Sequence, residues 1–222
     1  MLHKQLAARE ASIRQTGLSG TYTLKPFSVK VLNEELVLNT VFCTPPKRSG
    51  YYHNIEHAKE RIVLHFTAGQ LSGDLDSLTK QDYRVSVPFV IARDGTIYQL
   101  YLSKFWSGNL GPGAVGNKGT NNAQDKCTIG IELSNYGPLH EKDGVLYTVY
   151  DSPYCTLADK TAYQKLSKPF RGESYFATFT DAQYNSLTVL LRYLTSQYQI
   201  PRKFVAEPGR YESFEGVTSF KG

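Results

Sequence analysis

The 222-residue sequence contains little cysteine, methionine or tryptophan, with three, one and one residues respectively. Cys43, Cys127 and Cys155 lie far apart and form no C-x-x-C pair, so they do not indicate a disulfide framework. No segment approaches the roughly 18 consecutive apolar residues that a membrane-spanning helix needs. The first residues also lack the apolar stretch of a secretory signal. We therefore expect reduced, mostly buried thiols, no membrane span and no signal peptide.

The charge is mildly basic and evenly spread. Lys and Arg number 25 against 20 Asp and Glu, which gives a net charge of +5, and no dense basic run is present. This mild charge is the only feature that would support a nucleic-acid-binding function, so we expect no nucleic-acid partner. We also expect a monomer. The 16 tyrosines and 11 phenylalanines favour an aromatic surface of the kind that binds sugars or peptides.

Alternating patterns predict a mixed α/β fold, with a central mixed β-sheet and helices packed on it. Residues 1–20 predict a weak helix or arm, and residues 23–42 a hairpin. A short apolar run at 61–67 predicts a buried strand. A further strand is predicted at 127–134, with a hairpin at 85–101 that turns at Asp94-Gly95. Residues 138–179 carry many aromatics and are interpreted as an insertion. Thr180 and Gln183 form a capping-box pattern before a helix that Pro201 ends.

The strands at 61–67 and 127–134 each have an aliphatic face and an opposite face that carries one ionisable residue near its C-terminal end. Period-two alternation separates His65 from Leu64 and Phe66, and it separates Glu132 from Ile131 and Leu133. If both strands lie in one sheet, His65 and Glu132 point into one pocket. An imidazole can bind a metal, and a carboxylate can act as a general base toward metal-bound water. The alternative is a core histidine and a solvated glutamate, because a zinc site needs three or four ligands.

A second histidine pattern lies just before the first of these strands. Residues 53–57, HNIEH, match the H-x-x-E-H motif of some zinc proteases, which requires both histidines on one helical face. Residues 44–60 are rich in Pro, Gly and charge, and the strand begins soon afterwards. We therefore expect no such helix here.

Four segments, taken in chain order, resemble a known family. They are IVLHFTAG (62–69), VSVPFVIARDGTIYQL (85–100), FWSG (105–108) and TIGIEL (128–133). With the helix after Thr180, they are similar to the zinc-dependent N-acetylmuramoyl-L-alanine amidases of type 2, a superfamily shared with peptidoglycan recognition proteins. The resemblance covers about residues 60–203. It implies an amidase-like domain over 44–222, with the insertion at 138–179, after an N-terminal arm and hairpin over 1–43.

The resemblance also implies roles for particular residues. His65 would be a ligand of Zn²⁺, and Glu132 would be the catalytic general base. Trp106, Thr67 and Asn135 would bind substrate. The implied partner is peptidoglycan or its muropeptides at the cell wall of a bacterium, and the protein could come from a bacterium or a phage. The implied reaction cleaves the amide between N-acetylmuramic acid and L-alanine.

The chain departs from the family pattern near its end. The family supplies a second histidine and a carboxylate or cysteine ligand after its long helix, whereas no histidine follows His140 here. Residues 217–222 resemble the approach to that second motif, and we therefore expect the chain to be a fragment of a longer enzyme. The alternative is a catalytically inactive domain that binds muropeptides in the same groove.

Overall fold

A six-stranded sheet forms the centre of the protein in the computed structural model, which describes residues 1–111 and 122–204. Its strand order is β1-β2-β5-β4-β6-β3. The long hairpin β1–β2 is antiparallel and joins the sheet through a parallel contact between β2 and β5. Strands β4, β6 and β3 run parallel to one another, so the sheet is mixed. The bounds are β1 Thr23–Lys30, β2 Val37–Thr44, β3 Arg61–Phe66, β4 Phe89–Ile91, β5 Ile97–Gln99 and β6 Thr128–Leu133.

The aromatic-rich segment after β6 forms a second, five-stranded antiparallel sheet in the order β10-β11-β7-β8-β9. Leu139, Leu146 and Tyr154 are buried in its own core, and Leu6 from the N-terminal helix joins them. The bounds are β7 Pro138–Lys142, β8 Val145–Thr148, β9 Pro153–Thr156, β10 Tyr163–Phe170 and β11 Glu173–Ala177.

The helices cover both faces of the central sheet. They are a short 3-10 helix Leu2–Gln5, then α1 Leu6–Gly20, α2 Leu71–Leu78, α3 Ala123–Cys127 and α4 Asp181–Tyr198. On one face, Leu187 and Leu190 of α4 pack against Ile129 and Ile131 of β6. On the other face, Ile13 of α1 and Leu71 and Leu75 of α2 pack against Val90 and Tyr98. The mixed α/β architecture predicted from the sequence is confirmed.

Local signals in the sequence explain several of these elements. The Thr180 side chain accepts a hydrogen bond from the Gln183 backbone N–H, and the Gln183 side chain accepts one from the Thr180 N–H, so the capping box that begins α4 is confirmed. The Asp94-Gly95 turn joins β4 and β5 as predicted, with Gly95 at φ 85°. Residues 53–57 contain no helix, and His53 instead pairs with Trp106 in an isolated bridge.

The N-terminal arm is a helix anchored to the central sheet. Both carboxylate oxygens of Glu10, which is 3% exposed, accept hydrogen bonds from the backbone N–H groups of Arg93 and Asp94, at 3.0 and 3.1 Å. Arg14 forms an ion pair with Asp94 at 2.7 Å, and Ile13 is buried in the core. Helix α1 is therefore fixed to the β4–β5 turn by buried polar contacts as well as by packing.

One strand differs from its prediction. The apolar run at 61–67 was expected to be a buried strand, but β3 is at the edge of the sheet and pairs only with β6 among the described strands. Leu64 and Phe66 are 45% and 44% exposed, because the contacts of α4 are with strands nearer the sheet centre. An apolar run does not reveal which side of a strand lacks a neighbour.

The predicted division of the chain at residue 43 stays a prediction, as does the fragment hypothesis. The C-terminal stretch on which that hypothesis depends lies outside the described residues. Within the described ranges, no helix combines the length and apolar character needed to cross a membrane.

Candidate active site

His65 and Glu132 lie side by side on the face of the sheet that α1 and α2 cover. They are directly paired residues of the parallel strands β3 and β6. In-register residues of adjacent strands project to the same face, and neighbouring strands are about 4.8 Å apart. The alternation in the two sequence segments thus correctly predicted that these side chains share a face. The hydrophobic neighbours Ile131 and Leu133 point the other way, into the core beneath α4.

Glu132 is half-buried, and its carboxyl group lacks a complete set of partners among the described residues. Its Oε2 is buried and accepts no hydrogen bond from the described residues. Burial raises its pKa from 4.5 to about 7, and the nearby negative charge of Asp74 adds to the increase. Glu132 is therefore able to exchange a proton near neutral pH, which a general base requires.

His65 is also half-buried, and its buried Nε2 has no hydrogen-bond partner among the described residues. Burial lowers its pKa below the usual 6.5, while the Asn109 side chain and the charge of Asp125 oppose that change. The imidazole is therefore neutral at pH 7. A neutral imidazole with an unused nitrogen is the form that binds a metal ion.

Asp74 is a third ionisable residue at this site, and the sequence analysis missed it. It lies on α2 and is 6% exposed, and its Oδ2 accepts a hydrogen bond from Ser134 Oγ at 2.5 Å. Burial raises its pKa from 3.8 to about 6, although the hydrogen bonds from Ser134 and Thr67 oppose the increase. The helical spacing of Leu71, Leu75 and Leu78 was the signal that could have placed it on a helix facing the sheet.

Glu132 and Asp74 open onto a cavity of about 670 Å³. Thr67 and Glu132, from the ends of β3 and β6, line it. Further lining residues come from the 3-10 helix, from α1 and α2, and from Tyr136 and the turn between β8 and β9. The remaining lining residues are Met1, Leu2, Gln5, Arg9, Gly69, Gln70, Gly73, Ser77, Leu78, Tyr150, Ser152 and Pro153. A cavity of this size accommodates a small peptide or sugar derivative.

The predicted substrate-binding residues occupy three different environments. Thr67 lines the cavity, and its hydroxyl accepts a hydrogen bond from the Asn135 backbone N–H at 3.2 Å. Asn135 is 1% exposed, and its side chain bonds to the backbone of Gly137, Ala177 and Thr178. It therefore fixes the loop between the two sheets.

Trp106 lies elsewhere. It is 5% exposed, stacks on His53 with ring centroids 3.9 Å apart and meets the edge of His57. It is not among the lining residues of the cavity that contains Glu132. The assignment of substrate contacts to Trp106, Thr67 and Asn135 stays a prediction, as do the roles of His65 and Glu132.

The described residues do not make a complete zinc site. His65 Nε2 is a suitable donor, but no group of three or more His, Cys, Asp or Glu side chains within residues 1–111 and 122–204 could hold a metal ion. Structural and catalytic zinc sites use at least three protein ligands. The described residues thus supply part of the ligand set of a zinc site.

The comparison with protein families gives the class of this protein. The sequence model of the N-acetylmuramoyl-L-alanine amidase family matches residues 56–212. The chain belongs to this family. A comparison with curated proteins gives no match.

Two solved structures are similar to the chain. One is the E. coli N-acetylmuramyl-L-alanine amidase AmiD, in complex with the substrate anhydro-N-acetylmuramic acid-L-Ala-D-gamma-Glu-L-Lys, with 21% identity over 78% of this chain and 53% of that chain and a TM-score of 0.43. The other is the endolysin N-acetylmuramoyl-L-alanine amidase LysCS from Clostridium intestinale URNW, with 17% identity over 64% of this chain and 65% of that chain and a TM-score of 0.33. The chain spans about half the length of the AmiD chain.

Proposed function

We propose that the protein hydrolyses the amide bond between N-acetylmuramic acid and L-alanine in peptidoglycan. Family membership supports the reaction class. The single observation that carries the proposal for this chain is the position of Glu132, whose buried Oε2 has no hydrogen-bond partner among the described residues, on the lining of a cavity of about 670 Å³.

The proton chemistry follows from the environment of Glu132. Hydrolysis requires a water oxygen to attack the amide carbonyl carbon while the water loses a proton. The Glu132 carboxylate, with a pKa of about 7, accepts that proton at neutral pH. It then donates the proton to the nitrogen of L-alanine as the C–N bond breaks, which restores the carboxylate and releases a free amine.

Zinc dependence is a separate part of the proposal. A bound zinc ion in such a site polarises the carbonyl and lowers the pKa of water, and His65 would provide one ligand through Nε2. The described residues do not complete the site. Metal analysis of the purified protein, before and after Zn²⁺ addition, with His65→Ala as the comparison, tests this part.

Activity is best tested on purified peptidoglycan by measuring the appearance of new α-amino groups on L-alanine. We expect Glu132→Gln to reduce the rate by about 100-fold or more, in line with the loss of a general base. Glu35→Gln is the matched control, because Glu35 is exposed and lies on the β1–β2 turn. Equal rates for the wild-type protein and Glu132→Gln would contradict the role of Glu132.

A second candidate function is muropeptide binding without catalysis. The observation that favours it is the incomplete donor set, with His65 as one suitable imidazole and no three-ligand group among the described residues. In this case the wild-type protein would bind peptidoglycan in a sedimentation assay without releasing amino groups. Release by the wild-type protein, with or without added Zn²⁺, would exclude this alternative.

A further inference from the structure

The cavity that contains Glu132 is lined by groups of both charges. They include the carboxyl groups of Glu132 on β6 and Asp74 on α2, and the guanidinium of Arg9 on α1. Among the described lining residues, Arg9 is the one basic side chain. It comes from α1, which lies outside the residues that match the amidase family.

Arg9 is held in place without being neutralised. Its Nη1 donates to Gln70 Oε1 at 2.6 Å, and its Nη2 donates to Gln5 Oε1 at 3.0 Å. Both acceptors are neutral amides, and the ion pairs found among the described residues do not include Arg9. A guanidinium has five N–H donors, so these two bonds orient the group and leave donors for a ligand.

The backbone that carries Arg9 is also fixed. Its neighbour Glu10 accepts two backbone hydrogen bonds from the β4–β5 turn, and Ile13 is buried one turn further along. Burial raises the pKa of Tyr136 and the charge of Asp74 adds to the increase, while the charge of Arg9 opposes it. Tyr136 is a lining residue, so the two opposite charges act on the same part of the cavity wall.

The substrate of the proposed reaction fits this charge distribution. The carboxyl group of muramic acid is consumed in the amide bond to be cleaved, so the free carboxylates of the substrate lie on its peptide. Glu132 and Asp74 would repel such a carboxylate. The Arg9 guanidinium provides the opposite charge on the lining, with a fork geometry suited to a carboxylate.

We propose that Arg9 binds a carboxylate on the peptide part of the substrate, so that the protein prefers peptides bearing a free acid to the corresponding carboxamides. The inference rests on the proposed function, and it assigns a specificity-determining residue outside the family-matching region. The carboxylate belongs either to an acidic side chain or to the peptide C-terminus, and both have the same chemistry.

The test uses binding to the full chain, measured by calorimetry at low salt. The ligands are N-acetylmuramoyl peptides starting with L-alanine in three forms: the free acid, a form amidated only on the acidic side chain, and a form amidated only at the C-terminus. We expect one of the two amidated forms to bind about tenfold more weakly than the free acid, as is typical for the loss of an exposed charge-assisted hydrogen bond. The form that loses affinity identifies which carboxylate Arg9 binds.

Variants separate Arg9 from general electrostatics. In Arg9→Gln the difference between acid and amide should disappear, and Arg9→Lys should restore part of it because lysine keeps the charge but not the fork. Lys4→Gln removes the same charge from a neighbouring exposed position whose side chain is not on the lining, and it should retain the difference.

Equal affinities for acid and amides in the wild-type protein would overturn the inference, as would a difference that persists in Arg9→Gln. Absence of binding by every ligand would overturn it as well. Release of amino groups from peptidoglycan, measured on the same preparation, decides the proposed function separately. An active protein with no dependence on Arg9 would therefore refute only the role of Arg9.

Discussion

Replacing Glu132 by Gln should stabilise the folded protein at pH 8 and leave its stability nearly unchanged at pH 4. The carboxyl group of Glu132 holds its proton more tightly in the folded state, where burial and Asp74 raise the pKa from 4.5 to about 7. The folded state therefore loses stability as the pH rises from 4.5 through 7. Glutamine keeps the shape of the side chain and carries no charge at any pH.

The magnitude follows from the size of the pKa shift. Each unit corresponds to about 1.4 kcal/mol, so a shift from 4.5 to about 7 costs the wild-type protein about 3 kcal/mol at pH 8. Glu132→Gln should recover most of this amount while losing the general base. Such an exchange of activity for stability is typical of catalytic residues in buried positions.

Urea unfolding at several pH values between 4 and 8, with a chelator present, gives the free energy of unfolding for both proteins. The difference between them should increase with pH and level off above pH 7. Glu35→Gln is the control, because its exposed side chain should give the same small difference at every pH. A constant difference between Glu132→Gln and the wild-type protein across this range would refute the reasoning.

Three further variants test the structural contacts by the same urea measurement at pH 7. Glu10→Ala should lower the free energy of unfolding by about 1–3 kcal/mol, because two part-buried backbone N–H groups lose their charged acceptor, and faster hydrogen exchange in α1 should accompany the loss. Gly137→Ala should cost about 1–3 kcal/mol more than Gly144→Ala, since both glycines have positive φ but only at Gly137 would the new Cβ lie 2.1 Å from a ring carbon of Phe66. Thr180→Ala should cost about 1 kcal/mol through loss of the helix cap. For each variant, an unfolding curve identical to that of its reference protein would contradict the contact that the variant tests.

The sequence predicted the parts of the site that depend on local periodicity. Alternation in two short strands was enough to place His65 and Glu132 on one face, because side chains of a strand alternate whatever its surroundings. The Asp94-Gly95 turn and the Thr180 cap were equally local, and the structure confirms both.

The rest of the site depends on contacts between distant segments. Asp74 meets Ser134 across 60 positions, and Arg9 meets Gln70 across 61. The periodic pattern within one segment does not encode such a long-range contact. The exposure of Leu64 and Phe66 has the same origin, because the edge position of β3 follows from the order of the strands in the sheet.

The anchoring of α1 has a practical consequence for protein engineering. A shortened protein limited to the family-matching residues 56–212 would lack the β1–β2 hairpin, which provides the parallel neighbour of β5, and the part of the cavity lining that comes from the 3-10 helix and α1. The stretch recognised by sequence similarity is thus smaller than the unit that can be moved intact into a fusion protein. A fusion protein that keeps the cavity intact would need the first 55 residues in addition to the family-matching region.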